Sequence, residues 1–190
     1  MTKGRLEAFS DGVLAIIITI MVLALQVPNG DTFADLKPTF FKFLSYIFSF
    51  IYVGIYWNNH HHLFQAVKNV NGKILWANLH LLFWLSILPF ATAWMGENNF
   101  TKNPVALYGL ILLMCAIAFN ILEKFCVQGE GKDSVIAKAL TSTLKEKLSI
   151  VFYSLGILLS FVFPIGGVVI YYVVALMWII PDLRIEKTLE

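Results

Sequence analysis

Charged residues leave five long gaps in this 190-residue chain. Segments 12–30, 43–67, 74–96 and 103–122 contain no Asp, Glu, Lys or Arg, and neither does 148–181. A helix needs about 20 apolar residues to cross about 30 Å of hydrocarbon. Each of the first four gaps is long enough for one crossing. The fifth is too long for one, and it carries Pro164, Gly166 and Gly167 at its middle, where a turn is required. The chain is therefore expected to be an all-α integral membrane protein. Its six transmembrane helices fall at about 6–27, 40–66, 74–96, 103–123, 144–163 and 167–182, within a single unit, 1–190. A re-entrant pair is the alternative to the last two spans.

Composition agrees. The chain is 58% hydrophobic and 14% charged, against about 45–50% and about 25% for a soluble domain. A chain this short has too little interior to bury so much apolar side chain. Disorder is excluded by the same excess. A net charge of +2 is too small to argue for nucleic acid. Cys115 and Cys126 cannot form a disulfide framework. The first apolar segment carries Asp11 and lacks a small-x-small cleavage site, so no cleaved signal is expected.

Lysine and arginine set the orientation. Lys3, Arg5, Lys68, Lys73, Lys124, Lys132, Lys138, Lys145, Lys147, Arg184 and Lys187 fall on one side of a six-span plan, and Lys37, Lys42 and Lys102 on the other. Both termini are thus expected in the cytoplasm. The longest loop, near 124–143, runs into Ser134 and a pattern of Val135, Ala139, Leu140, Thr143 and Leu144. That pattern reads either as an amphipathic lead-in to the fifth span or as a solvated connector. No internal duplication of the six-span unit is visible.

The first span, from Arg5 to Pro28, carries the densest signal. With about 100° per residue, Phe9, Ile16, Ile20 and Leu23 share one narrow stripe, with Thr19 on its border. Ser10 and Asp11 point away from it. Charge in a membrane is costly and turns toward protein or water, so Asp11 should face sister helices. The stripe then faces lipid, protein core or a pore, and periodicity does not choose among them. Arg5 and Asp11 lie on different sides of the helix, so Arg5 reads equally as a headgroup anchor.

Arg-x-x-x-Phe-Ser-Asp, followed by Ile16-x-x-Thr19, resembles the opening helix of the transmembrane protein 175 family of potassium channels. The resemblance extends to the six-span plan and is most specific over Arg5 to Leu25. It implies that this single-unit chain is similar to bacterial members, which assemble as homotetramers. Animal members carry two such units per chain. It also implies that the first helices surround the pore, with Ile16 as the narrowest ring, Ile20 and Leu23 as further rings, and Thr19 influencing selectivity. Arg5, Phe9, Ser10, Asp11 and His80 would brace the assembly, His80 by holding the Phe-Ser-Asp motif from the third helix. No TVGYG filter is present. Selectivity must then come from ring size, hydroxyls, and nearby dipoles or carbonyls.

Other polar residues are weighed beside these. His60, His61 and His62 fan too widely around one helix to ligate one metal. They form an interfacial polar cluster or a network with Ser10 and Asp11 at similar depth. Asn78 could join such a network. His80 could equally be satisfied by a backbone carbonyl. Pro89 should kink the third span. The tryptophans fit an aromatic belt, and Asn120 a helix contact. Asp31 and Asp35 either attract cations at the outer mouth or are ordinary loop carboxylates. No nucleophile–base pair, nucleotide loop or metal-ligand set appears, so the chain is not expected to be an enzyme or to carry a cofactor.

The expectation is a passive potassium-selective channel in a bacterial plasma membrane, with the lipid bilayer and three sister chains as partners. The alternatives are an ion- or proton-coupled secondary transporter, or a non-conducting structural membrane protein. The nearly apolar midplane and the absence of repeats weigh against a transporter.

Overall fold

The computed structural model describes residues 2–131, 134, 136–137 and 143–179. Lys132, Lys138, Arg184 and Lys187 of the charge asymmetry lie outside the described residues. So do most of the 134–144 lead-in and the end of the sixth span, 180–182. Among the described residues, six long helices dominate. They are α1 (Lys3–Leu23), α2 (Phe40–Ala66), α3 (Gly72–Glu97), α4 (Lys102–Glu130), α5 (Leu144–Ser160) and α6 (Pro164–Ile179). A 3-10 segment, Phe33–Thr39, leads into α2. The first four helices are long and apolar enough to cross a membrane, and α6 is a shorter apolar helix. The chain is an all-helical membrane protein.

Local chemistry sets the ends. Helix α1 stops at Leu23, short of the expected Val27, with Ala24 as its C-cap. Helix α3 runs unbroken through Pro89, which is buried. Asn71 caps its start, its side chain accepting from the Ile74 N–H at 3.1 Å. The turn between α5 and α6 lies three residues earlier than expected. It occupies 161–163, and Pro164 opens α6 at the position where its missing N–H costs nothing. Gly166 and Gly167 lie inside α6 instead of in the turn. A Cβ on Gly167 would collide with Ser160 and with the Gly156 carbonyl, 2.8 Å away.

Successive helices alternate in direction. At one end, where most of the lysines collect, the Glu130 carboxylate accepts from the backbone N–H groups of Lys68 and Asn69 at 2.7 and 2.8 Å. At the opposite end Lys42 pairs with Glu97 at 3.6 Å and donates to the Gln26 amide oxygen at 3.1 Å. Helices α3 and α4 form the central pair. Helix α5 packs on α4, α6 on α5, and α1 lies against α3 and α2. The α5–α6 hairpin covers most of the bundle's depth. Near the opposite end Tyr171 donates to the Val105 carbonyl at 3.4 Å, and at the lysine-rich end Trp178 donates to Ser149 at 2.8 Å. Tyr171 occupies a slot that exists because Gly109 and Gly156 have no side chains.

Helix α1 is one of two weakly buried spans. Its apolar window is 28% buried and that of the span ending at Ala66 is 22%, against 61% for α4. Helix α1 sits at the rim, with one face in the bundle and one face outside.

Candidate functional site

The inner face of α1 is a single row of Leu6, Ser10, Leu14, Ile17 and Met21, all buried. Their spacing of three and four residues is what a helix needs to present one side to its neighbours. The outer face carries Phe9, Ile16, Ile20 and Leu23, which are 52, 59, 49 and 77% exposed. Gly12 and Thr19 are exposed on the same side, as are Arg5 at its foot and Asp11 beside it. The Thr19 hydroxyl donates to the Ala15 carbonyl at 2.9 Å, which leaves its lone pairs outward. A guanidinium, a carboxylate and a hydroxyl border or interrupt this aliphatic row.

Ser10 is the pivot of the inner face. Its hydroxyl donates to the Leu6 carbonyl and accepts from the Asn78 amide, both at 2.9 Å. The Asn78 oxygen in turn accepts from His60 Nε2 at 2.8 Å, so that nitrogen carries the ring hydrogen. All three residues are buried, and the chain of bonds ties α1 to α3 and α3 to α2. A second tie is more exposed. Trp57 donates its indole N–H to the Asp11 carboxylate at 3.0 Å and stacks on His61 at 6.3 Å. His61 shares a 3.0 Å hydrogen bond with Gln65.

Of the expected bracing residues, the protomer brings Ser10 and Asp11 into polar ties. Phe9 and Arg5 lie outside. His80 does not join the network within one protomer. It is half-buried and accepts from Trp84 Nε1 at 3.0 Å, beside a groove lined by Lys73 and Trp76. The reason is angular: residues 78 and 80 lie about 200° apart on a helix, so only one of them can face α1, and Asn78 does. Of the three histidines, His60 enters the network that links them to Ser10. Trp57, assigned only to the aromatic belt on sequence grounds, reaches Asp11. Its place one turn before His60 and His61 was the available signal. Among the described residues no group of three His, Cys, Asp or Glu is placed to hold a metal ion.

Asp35 is used locally. Its carboxylate accepts from the Thr32 hydroxyl at 2.6 Å and the Thr32 N–H at 3.0 Å, closing a capping box on the 3-10 segment. These bonds hold its pKa below the usual carboxylate value. Asn120 donates to the Ala116 carbonyl at 2.9 Å.

A family model described as the endosomal/lysosomal potassium channel TMEM175 matches residues 5–89, from α1 into α3. A potassium channel of Chryseobacterium sp. (strain P1-3) is 64% identical over 190 residues, covering 100% of this chain and 99% of that protein. The chain belongs to the TMEM175 family. A crystal structure of a TMEM175 homolog from Chamaesiphon minutus, titled a lysosomal potassium-selective channel, superimposes with a TM-score of 0.80. It is 29% identical and covers 96% of this chain and 97% of that one. The bovine TMEM175, named an endosomal/lysosomal proton channel, is 32% identical over 131 residues, which are 63% of this chain and 27% of that protein. These TMEM175 relatives are ion channels and not enzymes.

Proposed function

We propose that the chain is the subunit of a passive, potassium-selective channel, a homotetramer with four copies of α1 around a central axis. One observation carries the reading. Helix α1 buries one face against its own bundle and leaves an aliphatic row with a bordering hydroxyl outside, in a chain 64% identical to a potassium channel. In this reading Ile16 is the narrowest ring, Ile20 and Leu23 form further rings, and Thr19 influences which ion passes. An apolar neck of this kind blocks by dewetting and conducts once widened or made polar. Arg5, Phe9 and His80 then act between neighbouring subunits, while Ser10 and Asp11 hold α1 to its own. Both termini lie in the cytoplasm, and the membrane is the bacterial plasma membrane.

The test is a bi-ionic reversal potential on purified protein in a planar bilayer, with potassium on one side and sodium on the other. Reversal toward the potassium potential is expected, and reversal at zero would refute selectivity. Ile16→Asn should raise conductance severalfold, because a polar ring keeps the neck wet. Unchanged current from that variant, folded and assembled, would remove Ile16 from the pore. Because the bovine relative is named a proton channel, the same recording under a pH gradient decides whether protons carry part of the current.

A further inference from the structure

Two contacts fix how α1 runs against α2 at the lysine-rich end. Lys3 Nζ donates to the Gln65 carbonyl at 3.5 Å, and Trp57 donates to the Asp11 carboxylate at 3.0 Å. The two helices are antiparallel, so the step from Lys3 up to Asp11 matches the step from Gln65 back to Trp57. Residues four apart share a helix edge. Lys3, Glu7 and Asp11 therefore line one edge of α1, and Gln65, His61 and Trp57 line the edge of α2 that meets it. Glu7 and His61 fall opposite each other, one turn from either contact. Glu7 is half-buried and His61 is exposed.

His61 is held in a way that only its neutral ring allows. Its Nε2 meets the Gln65 side-chain nitrogen at 3.0 Å. An amide nitrogen is solely a donor, so Nε2 accepts and Nδ1 carries the ring hydrogen. The same ring stacks on Trp57, whose indole N–H holds Asp11. A proton on Nε2 would set two donors against each other and break the Gln65 bond. The freed imidazolium has two favourable neighbours, the face of Trp57 and the carboxylate edge of α1. The other titratable groups at this end are placed elsewhere or are part of that edge. His60 bonds to Asn78, and His62 lies edge-on to His61 at 5.6 Å. Helix α1 contributes Lys3, Glu7 and Asp11. On α3, Lys73 and His80 line the separate groove shared with α4, and α6 carries no charged residue.

We propose that His61 and Glu7 form a proton-driven latch between α1 and α2. With His61 neutral, the ring rests on Gln65 and Trp57. With His61 protonated, it turns to Glu7 and closes an ion pair. That pair joins the Lys3 and Asp11 contacts and fastens the foot of α1 to α2 over three successive turns. Imidazole changes charge between about pH 5 and about pH 8, so the fastening is present in acid and is lost as the pH rises through that range. In the channel proposed above, acid at the lysine-rich end would stiffen the foot of the pore helix. That consequence rests on the pore reading, whereas the stability of the subunit does not depend on it.

The experiment follows thermal unfolding of the full-length protein in detergent at about pH 8 and about pH 5.5. Glu7→Gln, His61→Asn and the double variant complete a cycle at each pH. In acid, either single variant should lower the midpoint by about 1–3 °C, and the second substitution should add nothing. At about pH 8 the cycle should show no coupling. Additive losses in acid would overturn the proposal, as would a coupling of the same size at both pH values. His61→Lys separates charge from the shape of the ring. It is cationic at both pH values, so its coupling to Glu7 should persist at the higher one. A His61→Lys protein that shows no coupling to Glu7 there would also overturn the latch.

Discussion

Ser10, Asn78 and His60 form a buried relay in which each member satisfies the next. Removing the middle one leaves the His60 ring N–H buried without its acceptor and the Ser10 hydroxyl with only its bond to the Leu6 carbonyl. Asn78→Leu should therefore destabilise the protein by about 1–3 kcal/mol, seen as a lower Tm. Ser10→Ala, which removes one end only, should cost less. A loss for Ser10→Ala as large as that for Asn78→Leu would overturn this ordering. At the opposite end of the bundle, Asp35 makes the capping box sensitive to acid. A carboxyl whose folded pKa is lowered stabilises above its unfolded value and stops doing so as pH falls through the folded one. Amide exchange at Thr32 should accordingly speed up below the ordinary carboxylate range, and Asp35→Asn should remove most of that pH dependence. The inward direction of Ser10 was legible from helical periodicity. The choice of Asn78 over His80 was not, because two polar residues two apart point to opposite sides and a single sequence does not say which side holds α1.

The six helices divide into two kinds. Helices α4, α5 and α6 lock together through missing side chains: Tyr171 fills the slot between Gly109 and Gly156, and a Cβ on Gly156 would come within 2.5 Å of its ring. Gly156→Ala should cost about 1–3 kcal/mol through overpacking, measured as a drop in Tm. Gly12 on α1 is the control. A Cβ there meets nothing within 4 Å of its own subunit, so Gly12→Ala should leave the fold of the subunit intact. Any effect on assembly or current would then come from neighbouring chains. The existence of these helices could be read from gaps between charges, but their ends could not be read so well. A proline decided one of them, Pro164 by opening α6 where a turn was expected. Helix α4 continues to Glu130, beyond its charge-free run: Glu123 is buried within it, and the Glu130 carboxylate accepts from the backbone N–H groups of Lys68 and Asn69.

At the scale of the whole molecule, α1 lies at the rim of the bundle, with one face packed against α3 and α2 and the other outside. A tetramer around α1 brings equivalent outer residues together. Leu23→Cys should then form a disulfide between subunits under mild oxidation, read as a dimer band on a denaturing gel. The native thiols should not interfere, because Cys115 and Cys126 are fully buried. A Leu23→Cys protein that stays monomeric under oxidation, while native mass spectrometry still reports four chains, would place α1 away from the axis. The quaternary arrangement was not legible in the residues of one chain. Periodicity gives the faces of a helix but not their neighbours.

The relay at Ser10 sits low on α1, and this placement has a mechanical consequence. At about 1.5 Å of rise per residue, Ile16 stands about 9 Å above Ser10 and Leu23 about 20 Å above it. A rod pinned near its foot moves in proportion to height. Any lean of α1 about that pin, working against the packing of Met21 and the Lys42–Gln26 hydrogen bond at the far end, would swing Leu23 roughly twice as far as Ile16, so the same small angle yields a broad sweep at the far end and a fine adjustment at the nearer ring.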